Sequence, residues 1–177
     1  MPRLVFLSLV LSILAAGSLE AQTVALSDRL FWGGGLGLGF GSVDYVDLSP
    51  MIGIDLTKQV STGIQLTYRY RNDSRYSPDL STTDYGGRVF GRYSFTKLPV
   101  FLHAEYELLS YEYVRSDDGT DRDTLDSLLA GGGYFQSIGP NTVLSMTALY
   151  NFSYDGSDPT GPYSDPWTFR VGITARF

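Results

Sequence analysis

The sequence contains no cysteine and a single histidine, His103. The first absence excludes a disulfide framework, a thiol nucleophile and any cysteine-ligated metal, and the second excludes a multi-histidine zinc centre. Cations are also in deficit: 13 Lys and Arg stand against 19 Asp and Glu, a formal charge of −6. Neutralising phosphates needs clustered Lys and Arg, so no nucleic-acid partner is expected. Beyond the N-terminal segment no apolar run is long enough for a membrane-spanning helix. The surplus lies elsewhere, in 20 Gly, 13 Tyr, 10 Phe and 2 Trp, and no cofactor motif accounts for it; no cofactor is expected. At 177 residues and 43% hydrophobic content, the chain can bury the core of one domain.

Residues Met1 to Ala21 read as a secretory signal peptide. Arg3 supplies the positive start, Leu4 to Ala16 is apolar, and small residues precede Ala21, after which cleavage is expected. An apolar helix of that length reaches roughly 20 Å, short of the ~30 Å hydrocarbon core, which argues against an anchor. Arg3 and Glu20 leave together, so the mature domain, residues 22–177, keeps the same net charge.

Along the mature chain the dominant period is two. Trp32, Leu36, Leu38 and Phe40 share one face and Gly33, Gly35, Gly37 and Gly39 the other. Leu48, Ile52, Ile54 and Leu56 alternate with Ser49, Met51, Gly53 and Asp55; Ile64, Leu66, Tyr68 and Tyr70 with Gln65, Thr67, Arg69 and Arg71. Tyr85, Val89, Tyr93 and Phe95 oppose Arg88, Phe90, Arg92 and Ser94, and Leu102, Ala104, Tyr106 and Leu108 oppose Phe101, His103, Glu105 and Glu107. A glycine-rich stretch, about Leu128 to Ser137, has no readable phase. Leu144, Met146, Ala148, Tyr150 and Phe152 form a seventh apolar row, and Trp167, Phe169, Val171, Ile173, Ala175 and Phe177 an eighth, opposite Arg170 and Arg176. The pattern predicts eight strands of about ten residues.

Tight turns are expected at Thr57–Gln59, Thr96–Pro99 and Ile138–Asn141, and longer polar loops at Ser42–Val46, Asn72–Asp84, Arg115–Thr124 and Asp155–Pro166. An even strand number with short turns at one end matches an outer-membrane barrel. In a soluble barrel the apolar rows would line a ligand cavity; in a membrane barrel they face lipid. Aromatics near strand ends (Tyr68, Tyr70, Tyr93, Phe95, Tyr111, Tyr113, Tyr154 and Trp167) favour the second arrangement, because a ring with a polar tip suits the headgroup level. The small, charged opposite face suits a narrow interior.

The terminus TFRVGITARF, with Phe169, Val171, Ile173, Ala175 and Phe177, resembles the insertion signal of bacterial outer-membrane β-barrel proteins. The stretches LSPMIGIDLTKQVSTGIQLTYRYR and GGRVFGRYSFTKLPVFLHAEYELLSYEY resemble strands two to five of the small eight-stranded group typified by OmpX and the barrel half of OmpA. The resemblance covers nearly all of residues 31–177 and rests on patterns rather than invariant residues. It implies an all-β, eight-stranded antiparallel up-and-down transmembrane barrel in the bacterial outer membrane, monomeric, with long loops extracellular and the N-terminus periplasmic. The implied partners are outer-membrane lipid and lipopolysaccharide, and the barrel-assembly machinery through the C-terminal strand. The peptidoglycan-binding domain of OmpA is not expected here.

Pairing around Thr96–Pro99 sets Arg92 opposite His103, Phe90 opposite Glu105 and Arg88 opposite Glu107, with Arg92 diagonal to Glu105. Asp55, Arg69, Arg170 and Arg176 share the same interior, and the glycines of the first strand are expected to make room for the arginines. Such a set predicts a plug of paired charges rather than a diffusion pore. His103, Glu105 and Glu107 could instead relay protons, but no serine or second histidine accompanies them. Lipid A deacylases built on this frame pair a histidine with a serine two residues on; His103 is followed by Ala104 and Glu105, so that catalytic set does not carry over. Asp117, Asp118, Asp121, Asp123 and Asp126 could attract calcium, although the glycine position is wrong for an EF-hand, and a solvated acidic loop is expected. Arg71, Arg75 and Tyr76 could touch lipid sugars or phosphates. The expected function is a non-enzymatic barrel for envelope integrity or surface binding; the alternatives are a lipid A-modifying enzyme on the same scaffold and a secreted barrel holding an apolar ligand.

Overall fold

The computed structural model describes residues 26–39, 41–75, 80–114, 120–157 and 161–176. The leader segment 1–21, Phe40, Tyr76, Asp117, Asp118 and Phe177 lie outside them. The described residues form a short helix, α1 (Leu26–Arg29), and the strands β1 (Leu30–Gly39), β2 (Val43–Asp55), β3 (Val60–Asp73), β4 (Leu80–Ser94), β5 (Val100–Val114), β6 (Thr120–Ser137), β7 (Thr142–Asn151) and β8 (Trp167–Arg176). Every strand pairs antiparallel with its sequence neighbours, and β1 pairs with β8, so the sheet closes into an up-and-down barrel. Closure leaves no strand edge to be satisfied by water.

Side-chain polarity is inverted relative to a soluble protein. Leu36, Ile52, Ile64, Leu66, Val89, Leu102, Met146, Phe169, Val171 and Ile173 all stand exposed on the outer wall. Asp47, Arg69, Arg88, Glu105 and Glu107 are buried within it. An apolar belt of this size facing water would forgo about 25 cal/mol for each Å² left wet, whereas lipid accepts it. The wall is therefore that of a membrane-spanning barrel, and Tyr68, Tyr70, Tyr93, Phe95 and Trp167 stand outward as expected. Tyr111 and Tyr154 do not belong to that girdle. Tyr111 lies on the inward row of β5 and is buried, and Tyr154 packs against the interior cluster Tyr45, Leu109 and Tyr163.

Two further expectations change. Strand lengths are uneven: β1, β7 and β8 have 10 residues, but β5 has 15 and β6 has 18. The long loops shrink accordingly, because Val43–Val46 belongs to β2, Asn72 and Asp73 to β3, and Thr120–Thr124 to β6. Polar composition made these stretches read as loops, yet a wall extending beyond lipid can be polar on both faces and still pair. Only the connection between β7 and β8 stays long among the described residues. The phase of β6 is also fixed: Ser127 and Leu129 point inward, Tyr134 outward. A Cβ on Gly131 would lie 2.1 Å from the Ala148 carbonyl oxygen and one on Gly133 2.2 Å from that of Met146. The close approach of β7 thus requires glycine, which erased the alternation from the sequence.

Candidate functional site

The interior is layered. Beginning at the end of the turns 56–59, 95–99 and 138–141 (the short-turn end), Arg176 Nε lies 3.2 Å from Asp55 Oδ2 at a partly exposed rim. Arg29 of α1 reaches over the same end, donating from Nε to the Asp55 carbonyl at 2.8 Å. Next comes an aromatic layer. The Phe31 and Phe90 rings are 6.5 Å apart, Phe90 stacks on His103 at 5.4 Å, and Phe101 stacks on Phe135 at 6.3 Å.

The central charge layer lies above it. Arg88 is its hub: Nε meets Glu107 Oε1 at 2.7 Å, Nη2 meets Asp47 Oδ2 at 2.8 Å, and Nη1 donates to Ser49 Oγ at 3.0 Å. Arg69 Nη2 lies 3.3 Å from the same Asp47 oxygen and donates to the Tyr163 hydroxyl at 3.1 Å. Tyr163 in turn donates to Glu107. Arg170 Nη1 reaches both Glu105 oxygens at 2.6 Å, and His103 Nε2 lies 3.1 Å from Glu105 Oε2. The layer ties β2, β3, β4, β5 and β8 together through charge-assisted bonds.

A cap closes the other side. The Arg69 guanidinium carbon sits 4.1 Å from the Tyr45 ring centroid and 4.9 Å from that of Tyr163. Tyr45 and Tyr163 meet edge to face at 6.0 Å. A second ionic layer follows: Arg71 Nε to Asp84 Oδ2 at 2.9 Å, Arg71 Nη1 to Asp73 Oδ2 at 3.2 Å, and Arg75 Nη2 to the same Asp73 oxygen at 2.6 Å. Arg71 is thereby turned inward, away from lipid sugars and phosphates. On the connection from β7 to β8, the Ser157 hydroxyl and amide donate to Asp155 at 2.6 and 2.9 Å and hold its carboxyl below the usual range.

The register is that expected from the turn: Arg92 faces His103, Phe90 faces Glu105 and Arg88 faces Glu107. The structure brings Arg69, Arg88, His103, Glu105, Glu107 and Arg170 into one layer and sets Asp55 and Arg176 apart at the rim. Arg92 does not join Glu105; its guanidinium lies 4.4 Å over the Phe101 ring. Two of the β1 glycines, Gly37 and Gly39, face neighbours other than arginines. A Cβ on Gly37 would lie 2.7 Å from the Asp47 carboxylate, and one on Gly39 would strike the Tyr45 ring. The acidic run ascribed to a loop is partly strand: Asp121 and Asp123 share one face of β6, while Asp126 accepts the Tyr106 hydroxyl at 3.0 Å on the other.

Asp47 and Tyr163 are the members that pattern reading missed. Asp47 continues the inward row Ser49, Met51, Gly53 and Asp55, and would have been found had the strand been started earlier. Tyr163 comes from a loop that folds back into the barrel, which no periodicity announces.

Fold and interior together define the class: a small, eight-stranded, membrane-type β-barrel with a filled polar lumen. No protein-family model and no curated protein matches the sequence. Among solved structures, the chain is similar to the N-terminal β-barrel domain of Pseudomonas aeruginosa OprF, with a TM-score of 0.52 at 14% identity over 85% of this chain and 98% of that one. It is also similar to Neisserial surface protein A, NspA, with a TM-score of 0.51 at 16% identity over 84% and 95%.

Proposed function

We propose that the protein is a non-enzymatic barrel of the bacterial outer membrane, plugged along its lumen, that supports envelope integrity or offers its polar outer end for surface binding. The observation that carries this reading is the central layer. Arg69, Arg88, Glu105 and Glu107 are almost wholly removed from solvent and hold one another across the lumen. Moving them aside for a solute would leave uncompensated buried charge. In this orientation the end at which β3 finishes and β4 begins, opposite the short turns, faces outside, and the N-terminus and short turns face the periplasm. The outer wall meets lipid and lipopolysaccharide, and the β8 row Phe169, Val171, Ile173 and Ala175, with Phe177, serves recognition by the barrel-assembly machinery. His103 points into the lumen and is bonded to Glu105, which keeps it from acyl chains on the outer wall.

Three measurements test the reading. Fractionation should find the protein in the outer membrane with heat-shifted gel mobility; recovery from the periplasmic fluid as a soluble protein overturns it. Purified protein in planar bilayers should show no steady conductance, and stable open channels contradict the plug. Mass spectrometry of lipid A should be unchanged when the gene is deleted. A changed acyl pattern turns the assignment to an enzyme.

A further inference from the structure

The interior charges do not balance. Around the central layer, Arg69, Arg88, Arg92 and Arg170 are answered by Asp47, Glu105 and Glu107, while Arg176 and Asp55 satisfy each other at the rim. Arg92 is the cation left over. Among the described residues it has no carboxylate within ion-pair distance, and its Nε has no acceptor. Arg92 is partly exposed; its buried side lies against the Phe101 ring, whose face carries no net charge.

Arg170 shows a second deficit at the same place. It is more than nine-tenths buried, spends Nη1 on Glu105, and leaves Nε and Nη2 without an acceptor. Arg92 and Arg170 line one cavity of about 30 Å³, together with His103, Gln65, Thr147 and the backbone of Gly35. That is enough for one or two water-sized species. A guanidinium has donors only, so Nε of Arg92 and both Nε and Nη2 of Arg170 need acceptors there.

We propose that this cavity binds a small monovalent anion of the chloride class, held by the free N–H groups of Arg92 and Arg170. Water could accept the hydrogen bonds, but only an anion also cancels the surplus charge. One surplus charge selects a monovalent ion over sulfate, and the small volume excludes bulky organic anions. Leu149 and Met51 complete the wall, which favours a weakly hydrated ion over fluoride. His103 Nε2 is engaged with Glu105, so that end of the ring is closed to the anion, which is placed on the arginine side. This inference goes beyond the role assigned above and stands or falls separately from it, since it concerns a resident ion and not conduction.

The test is thermal unfolding of the full mature protein in non-ionic detergent, at fixed pH and ionic strength, with sodium gluconate replaced stepwise by sodium chloride or bromide. Fixed ionic strength removes general screening. Binding to the folded state alone should raise the midpoint saturably in chloride and bromide, and not in sulfate. Arg92→Gln should lose that dependence, whatever its own midpoint, while Arg122→Gln at the exposed outer end should keep it. A wild-type crystal grown in bromide should give an anomalous peak between Arg92 and Arg170, a readout that stands even if Arg92→Gln does not fold. Equal midpoints in chloride and gluconate, an undiminished dependence in Arg92→Gln, or density in the cavity with no bromide signal (water only) would overturn the proposal.

Discussion

Arg88 shows how a single residue organises this interior. Its three nitrogens address Glu107, Asp47 and Ser49, one bond each, on strands to either side of β4. Glu107→Leu removes one carboxylate and leaves Arg88 and Arg69 to share Asp47 as their remaining common acidic partner. Breaking one side of a buried pair costs about 3–5 kcal/mol, so the unfolding midpoint in detergent should fall sharply. An unchanged midpoint would count against the pairing. Tyr163→Phe is gentler: it deletes only the hydroxyl that receives from Arg69 and donates to Glu107, for a loss of roughly 1.5–3 kcal/mol in urea unfolding. The Arg88–Glu107 contact was legible from turn length and alternation alone. Asp47 was hidden because polar residues near it read as a loop, and Tyr163 because it reaches the lumen from outside any strand.

At the scale of the element, the seam between β1 and β8 is the step that turns a sheet into a barrel. Here Gly33 faces Thr174, and a Cβ on it would lie 2.2 Å from the Ile173 carbonyl oxygen and 3.0 Å from Thr174 Cα. On the concave side of a narrow barrel the neighbouring backbones crowd the space above glycine. Gly33→Ala should therefore push the seam apart, costing about 1–3 kcal/mol, read as a lowered temperature for the gel-mobility shift. Gly91→Ala is the matched control, because nothing lies within 4 Å of its Cβ. Its midpoint should move little. Were both variants equally stable, the tightness of the seam would be disproved.

For the whole molecule, the decisive property is which face meets the solvent. Leu66 is 63% exposed on the outer face of β3, opposite a row of buried polar residues. If that face meets lipid, Leu66→Arg should cost about 2–4 kcal/mol in vesicle-based unfolding, the penalty for a cation near the bilayer midplane. On a water-facing wall the same change would be nearly neutral. Folding yield and stability in vesicles equal to those of the parent would argue for a soluble barrel.

Period-two alternation needs only the local geometry of an extended chain, so the sequence by itself determined the strand number, the faces of seven strands, and the pairing across the turn 96–99. Its polarity also marked the apolar rows as the outer wall, since inward arginines and carboxylates need one another. What it could not determine was anything that depends on distance between non-neighbouring strands. The phase of β6 was set by the approach of β7 to Gly131 and Gly133. The burial of Tyr111, the descent of Tyr163 into the lumen, and the separation of Arg92 from Glu105 were likewise decided by closure. Only a closed barrel brings residues of β2, β5 and β8 into one layer, and that is where the charges choose their partners.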